Sequence, residues 1–351
     1  MPSLHVFKLI GSEIMKIFNW KEQIKETELE EVNKSLKNGE LVIFPTETVY
    51  GIGANATNSK AVDDIFIAKG RANDNPLIVH LGDTQQIENY AYITSDIEKK
   101  LIDAFMPGPF TIILKKKENI PNNVSAGLDT VGIRIPSNKI ANTILKTSNI
   151  PVAAPSANVS GKPSGTKIED IKEEFNNKVS IIIDGGNTDI GLESTVVKVI
   201  DDIPTILRPG FITKDDILEV IGAVKVDDNL FKKVTGPVES PGMKYKHYAP
   251  TSKCQLIYIK NKEELLAYFN KETNKDTVII GSSKLKDIPC KKYLYYGDTL
   301  EEISHNIFTL LRLADTYKPS IILIEGVSKD GLGLAIMNRL IRASSYNYIE
   351  R

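Results

Sequence analysis

Residues 41–81 read LVIFPTETVYGIGANATNSKAVDDIFIAKGRANDNPLIVHL, and this stretch decides the fold. The apolar run 41–44 predicts a buried strand. Pro45 ends regular pairing, and Thr46, Glu47 and Thr48 follow with two hydroxyls and a carboxylate. Gly51 and Gly53 permit a turn or a close approach of the backbone. The spacing of Val62, Ile65 and Phe66 predicts a helix that opens near Asn58 or Ser59. It ends in Lys69-Gly70-Arg71, two cations beside a flexible glycine. A second apolar run, 76–79, carries His80 at its end. Hydroxyls, cations, the Asn75 amide and an imidazole thus sit where regular elements stop, the usual place for a site. Taken singly, each has a plainer reading. Lys69 and Arg71 suit the C-terminus of a helix as solvated charges, and His80 suits a satisfied, partly buried position.

Working outward, 16–18 reads as a strand and 22–37 as a charged helix stopped by Gly39. Ser95-Asp96-Ile97-Glu98 is a capping box for the next helix. A strand is expected over 110–114, then a solvated turn at 115–117. After a small polar loop at 125–130, the strand 131–135 puts Val131, Ile133 and Ile135 on one face, Gly132 and Arg134 on the other. That second face is either a cleft or an exposed side of the sheet. Residues 151–166, PVAAPSANVSGKPSGT, run for sixteen positions without core periodicity. Such a loop suggests a bound ligand, with backbone N–H groups free to meet phosphate oxygens. Thr166-Lys167-Ile168-Glu169 is expected to cap the helix that follows. Strands at 179–183, 196–200 and 205–207 mix with helices without strict alternation, which implies a mixed sheet. A helix opened by Thr213 and Asp216 finishes near Gly222.

The pattern breaks up over 223–250. Within it, SPGMKYKHYAP (240–250) carries two tyrosines, a histidine and two lysines. A plain linker is Gly/Ser-rich or charged. This one either grips something or docks on its own domain. From 251 onward strands and helices alternate, as in a small α/β domain with a mostly parallel sheet. The turn 326–333, between its expected last strand and last helix, lacks a complete phosphate-binding fingerprint. The expected division is 15–222, a linker 223–250, and 251–351.

At 351 residues, two domains are expected. A net charge of −1 argues against a strongly electrostatic nucleic-acid binder. Cys254 and Cys290 match no zinc spacing and suggest no disulfide framework, so a reducing, cytoplasmic compartment is expected. No apolar run is long enough to span a bilayer. The first residues lack the features of a secretory signal, and Met15 is an alternative start. Gly51-Ile52-Gly53-Ala54-Asn55-Ala56 resembles a dinucleotide fingerprint but lies past the strand tip. Gly161-Lys162 resembles the end of a P-loop, yet Ser156 and Pro163 break the pattern.

Lys69-x-Arg71 together with Ser156-x-Asn158 resembles the paired KxR and SxN signature of the YrdC-domain family. PTETVYGIG, NPLIVH, PGPFT, AGLDTVGIR, PVAAPSAN, DGG, ESTVV and LRPG resemble further blocks of that family in their usual order. The linker and the last segment resemble its long form, the threonylcarbamoyl-AMP synthases. The departures are Gly70 and Ala72 around Arg71 and the residues before Met15. The resemblance implies an α/β protein: a twisted, open, mixed-sheet YrdC-like domain followed by a small Rossmann-like α/β domain. It implies a reaction of L-threonine, bicarbonate and ATP that gives threonylcarbamoyl-AMP and pyrophosphate. A separate transferase would then modify tRNA beside the anticodon. Implied contacts with L-threonine are Thr48, His80, Arg134, Ala154 and Ser194. Those with ATP are Arg71, Asn75, Thr130, Ser156, Asn158, Ser164, Arg208 and the linker residue Tyr245. Lys69 and Arg71 are the implied catalytic residues, with Lys69 against bicarbonate or the phosphates. Mg²⁺ is expected to travel with ATP, and no protein metal site is expected. Direct tRNA binding stays open, and the competing reading is an RNA-binding YrdC-type module.

Overall fold

A computed structural model describes residues 15–232, 236, 238–241 and 247–351. Two sheets organise them. The first comprises β1 (Lys16–Asn19), β2 (Val42–Phe44), β3 (Gly51–Asn55), β4 (Ile78–His80), β5 (Ala91–Tyr92), β6 (Phe110–Lys116), β7 (Thr130–Arg134), β8 (Val152–Ala153), β9 (Ile181–Asp184), β10 (Thr195–Ile200), β11 (Ile203–Arg208) and β12 (Lys225–Val226). Its order is β1-β9-β2-β3-β8-β4-β7-β6-β10-β11-β12, with β5 on β6. Parallel pairs such as β4-β7 occur beside antiparallel ones such as β2-β3 and β6-β7, so the sheet is mixed, as expected.

The opening stretch builds the middle of this sheet. β2 and β3 pair antiparallel, with Phe44 opposite Gly51, so 45–50 is the loop between them. Gly53 serves close approach rather than a turn. A Cβ there would lie 2.6 Å from Phe44 Cε1 and 2.8 Å from Val152 Cγ1. The helix Ser59–Lys69 starts where the Asn58 side chain accepts from Ala61 N–H. It stops at Gly70, whose φ of 59° is left-handed. β8 lies antiparallel between β3 and β4, which brings the 154–166 loop beside the β2–β3 loop. β4 and β7 run parallel with His80 opposite Arg134.

Three local expectations are corrected. Lys115 and Lys116 are strand rather than turn, because β5 pairs with them. The helix Ile168–Lys172 has no side-chain cap. Thr166 instead places its hydroxyl 2.8 Å from that of Thr309, on the helix Leu300–Thr316. The 326–333 turn does not follow the last strand, since one more strand comes after the helix Gly333–Ala343.

The second sheet holds β13 (Cys254–Tyr258), β14 (Thr277–Gly281), β15 (Lys292–Tyr295), β16 (Ile321–Glu325) and β17 (Tyr348–Glu350), in the order β15-β14-β16-β13-β17. Every pair is parallel. The strands are short apolar runs with helices between them, as a parallel sheet covered by helices requires. One apolar cluster of this sheet also takes in Val49 and Leu192 from the first unit and Tyr248 from the linker. Tyr248 stacks on Phe308 with ring centroids 5.1 Å apart. Among the described residues, no helix is long and apolar enough to cross a membrane.

Candidate active site

An open cleft lies where the β2–β3 loop, the ends of β4 and β7, the loop after β8, the turn before β10, the end of β11 and the linker meet. Thr48, Arg71, His80, Arg134, Ala154, Ser156, Asn158, Ser194 and Arg208 all line it. Residues spread over 160 positions of sequence are thus brought to one place.

Arg134 is a buried cation on the cleft side of β7, which decides between the two readings of that face. Its Nη2 donates to Glu47 Oε1 at 2.6 Å, and both side chains are almost fully buried. Glu47 Oε2 also accepts from Asn138 N–H. The carboxylate therefore orients the guanidinium as well as balancing it. His80 is buried beside it, with Nδ1 3.2 Å from the Ile78 carbonyl. Burial and the Arg134 charge push the His80 imidazole down to about 3, so it is neutral at physiological pH.

Arg208 donates from Nε and Nη2 to the Ser194 carbonyl at 3.1 and 2.9 Å, and from Nη2 to Ser194 Oγ. Its Nη1 reaches the Pro241 carbonyl of the linker. Burial and the nearby Arg339 charge lower its pKa to about 10, which leaves it cationic at neutral pH. Thr111 and Ser194 hydroxyls lie 2.8 Å apart. Arg71 donates to the Asn75 and Pro76 carbonyls, curling the chain between the helix Ser59–Lys69 and β4.

Lys69 is buried behind the cavity wall. Its ammonium donates to the carbonyls of Ser156 and Asn158. Burial and Arg71 push it well below the usual lysine range. Ser156 Oγ donates to Asn158 Oδ1 at 2.6 Å, and Asn158 Nδ2 donates to the Val159 and Lys162 carbonyls. The two halves of the signature are thus one hydrogen-bonded assembly, with Lys69 shaping the loop.

Asn75, Ser164 and Thr130 are not among the residues that line the cavity. Asn75 is fully buried, with both side-chain polar atoms lacking a partner. Such atoms mark either strain or a ligand to come. Ser164 is buried and donates to Glu193 Oε1. Thr130 donates to Glu239 Oε1 at 3.3 Å. Tyr245 lies outside the described residues. The linker residues Pro241, His247 and Tyr248 do line the cavity.

Sequence reasoning passed over Glu193 and Arg339. Glu193 lines the cavity, and its Oε2 accepts from Arg339 Nε at 2.8 Å. Arg339 comes from the helix Gly333–Ala343, so the second unit supplies the counter-charge for the first. Burial pushes the Glu193 carboxyl up, but the Arg339 and Arg208 charges outweigh it and hold it below the usual range. Glu47 was visible as a carboxylate between two threonines, but its pairing with Arg134 was not.

Both carboxylates, Glu47 and Glu193, are already committed to arginines. No group of three or more His, Cys, Asp or Glu side chains able to hold a metal occurs among the described residues. The donor set here suits anions: among the described residues, three cavity-lining arginines stand against one lining carboxylate that is itself paired with Arg339.

The Sua5_yciO_yrdC family profile, described as "Telomere recombination", matches residues 34–210. The profile of the threonylcarbamoyl-AMP synthase C-terminal domain matches residues 212–345. The chain is 43% identical over 340 residues to the threonylcarbamoyl-AMP synthase of Pyrococcus abyssi, covering 95% of this chain and 99% of the relative. It is 42% identical to that of Bacillus subtilis, over 88% and 90% of the two chains. The crystal structure of P. abyssi Sua5 complexed with L-threonine superposes with a TM-score of 0.89 at 42% identity, over 95% of this chain and 99% of that one.

Proposed function

The chain belongs to the threonylcarbamoyl-AMP synthase family, and from that membership we propose that it joins L-threonine, bicarbonate and ATP into threonylcarbamoyl-AMP and pyrophosphate. One observation carries the reading: Arg71, Arg134 and Arg208 converge on a single cavity with Thr48, His80, Ser194 and the Ser156–Asn158 loop. A carboxylate, bicarbonate and a triphosphate are three anionic partners, and they need such a set of fixed cations. Guanidinium forks suit carboxylate and phosphate.

In this scheme L-threonine sits at Thr48, His80, Arg134, the Ala154 backbone and Ser194. The nucleotide takes Arg71, Asn75, Thr130, Ser156, Asn158, Ser164, Arg208 and Tyr245. The amine of threonine condenses with bicarbonate to a carbamate and water. A carbamate oxygen attacks the α-phosphorus, the bond to the β-phosphate bridge breaks, and pyrophosphate leaves. The cations hold these anions close and neutralise their charge in a water-poor cavity. His80 is a neutral hydrogen-bonding group there, not an acid. Mg²⁺ comes with ATP on its phosphates, since the committed carboxylates offer it no protein cage. The product serves tRNA modification in the cytoplasm through a separate transferase.

The test is pyrophosphate release from ATP, with and without L-threonine and bicarbonate, with mass spectrometry of the nucleotide product. Release that requires both co-substrates, with an adduct of AMP, threonine and one carboxyl carbon, is the expected result. Steeply salt-dependent RNA affinity without turnover would replace it with a nucleic-acid-binding reading.

A further inference from the structure

The loop that carries Ser156 and Asn158 has almost no regular pairing of its own. Lys69 grips it at the Ser156 and Asn158 carbonyls from the first unit. Its far half is held from the second unit. Arg312, on the helix Leu300–Thr316, donates from Nη2 to the Pro163 carbonyl at 2.5 Å. Its Nη1 donates to Glu174 Oε1 at 2.8 Å and to the Asp170 carbonyl at 3.1 Å. The other oxygen of Glu174 accepts from Val159 N–H at 2.9 Å. One guanidinium thereby fixes the loop at 163 directly and at 159 through a carboxylate.

The pair is built for this. The Arg312 and Glu174 side chains are only 14% and 9% exposed. Burial pushes the Glu174 carboxyl up, yet the Arg312 hydrogen bond and charge, with the Val159 N–H, hold it below the usual range. Lys162 adds a second cation 3.2 Å from Glu174. Neither Arg312 nor Glu174 lines the cavity, so neither is placed to touch a substrate.

We propose that Arg312 is a positioning residue through which the C-terminal unit holds the 156–164 loop in its nucleotide-binding shape. The nucleotide part rests on the synthase reading of the cavity. Threonine binding should be spared, because Thr48, His80 and Arg134 sit on the β2–β3 loop, β4 and β7, and the bonds of Arg312 go to Pro163, Asp170 and Glu174 rather than to these or to Ala154 and Ser194.

The test uses the full chain with Arg312→Ala and Arg312→Lys. Dissociation constants for ATP and for L-threonine are measured by calorimetry, and amide hydrogen exchange is followed over 156–164. Arg312→Ala should weaken ATP about tenfold, the scale of one lost charged hydrogen bond, with L-threonine within about twofold. Exchange over 156–164 should rise. Arg312→Lys, which keeps the charge and one donor direction, should recover part of both. Equal weakening of both ligands with a lowered melting temperature would reduce Arg312 to general packing and overturn the proposal, as would unchanged exchange. If the parent protein binds no ATP, the synthase reading fails, and the exchange measurement still decides whether Arg312 holds the loop.

Discussion

Replacing Arg339 by methionine tests how the two units share charge. Arg339 is fully buried. It donates to Glu193 Oε2 at 2.8 Å, to Asn338 Oδ1 at 2.8 Å and to the Pro209 carbonyl at 3.0 Å. Arg339→Met keeps most of the volume but leaves Glu193 as a buried carboxylate facing Ser164. Removing one member of a buried pair costs about 3–5 kcal/mol, chiefly through the charge left behind. The pH dependence fixes the sign. In the parent protein the Glu193 carboxyl lies below its usual range. Its contribution is therefore present above the unfolded pKa of about 4.3 and is lost as pH falls through the lower folded value. In Arg339→Met only Arg208 and the Ser164 hydroxyl still oppose burial, so the folded carboxyl moves up, and the destabilisation shrinks as pH falls. Urea unfolding at pH 8 and pH 5 reads both effects. The Glu193→Gln background should recover most of the loss, since no charge remains to strand. A cost below about 1 kcal/mol at pH 8, or an equal cost in the Glu193→Gln background, would refute the argument.

Lys69→Ala and Arg71→Ala should each lower product formation about tenfold or more, roughly 1.4 kcal/mol of transition-state stabilisation, as read from pyrophosphate release. Near-normal kinetics in both would remove them from the site. His80 moves from its ordinary 6.5 to about 3. Between those values the unfolded chain binds a proton that the folded chain does not. His80 alone should therefore make stability fall by up to about 1.4 kcal/mol per unit as pH drops through that window. His80→Asn should flatten the profile in urea titrations from pH 7 to pH 4, and an unchanged slope would count against it.

Much of the fold is legible because local signals and tertiary needs agree. Asn58 and Gly70 bracket one helix, and the Ser95 capping box starts another, Asp96–Phe105. Arg134, on the strand face it shares with Gly132, shows where a strand meets a cleft. What stays hidden is long-range and polar. Thr166 reads as a cap in a four-residue window but bonds Thr309, and nothing local distinguishes the two. Arg339 lies on a helix whose apolar spacing reads as core, and only the docking of the two units turns it toward Glu193. The Lys69 ammonium reads as a ligand-facing charge, whereas its described partners are two backbone carbonyls. Periodicity reports which residues are buried, but not which charge they are buried against.

The pairing of Glu193 with Arg339 spans 146 positions of chain. At a synthesis rate of about 5–20 residues per second, some 7–30 s separate the emergence of the two residues. For that interval the nascent N-terminal sheet holds a carboxylate at its cavity with its arginine not yet made. Assembly of the site is therefore timed by translation. The buried ion pair of the first sheet closes only when the helix Gly333–Ala343 arrives, so a ribosome stalled between the two leaves a chain with most of the cavity residues and Glu193 held by Arg208 but short of its second arginine.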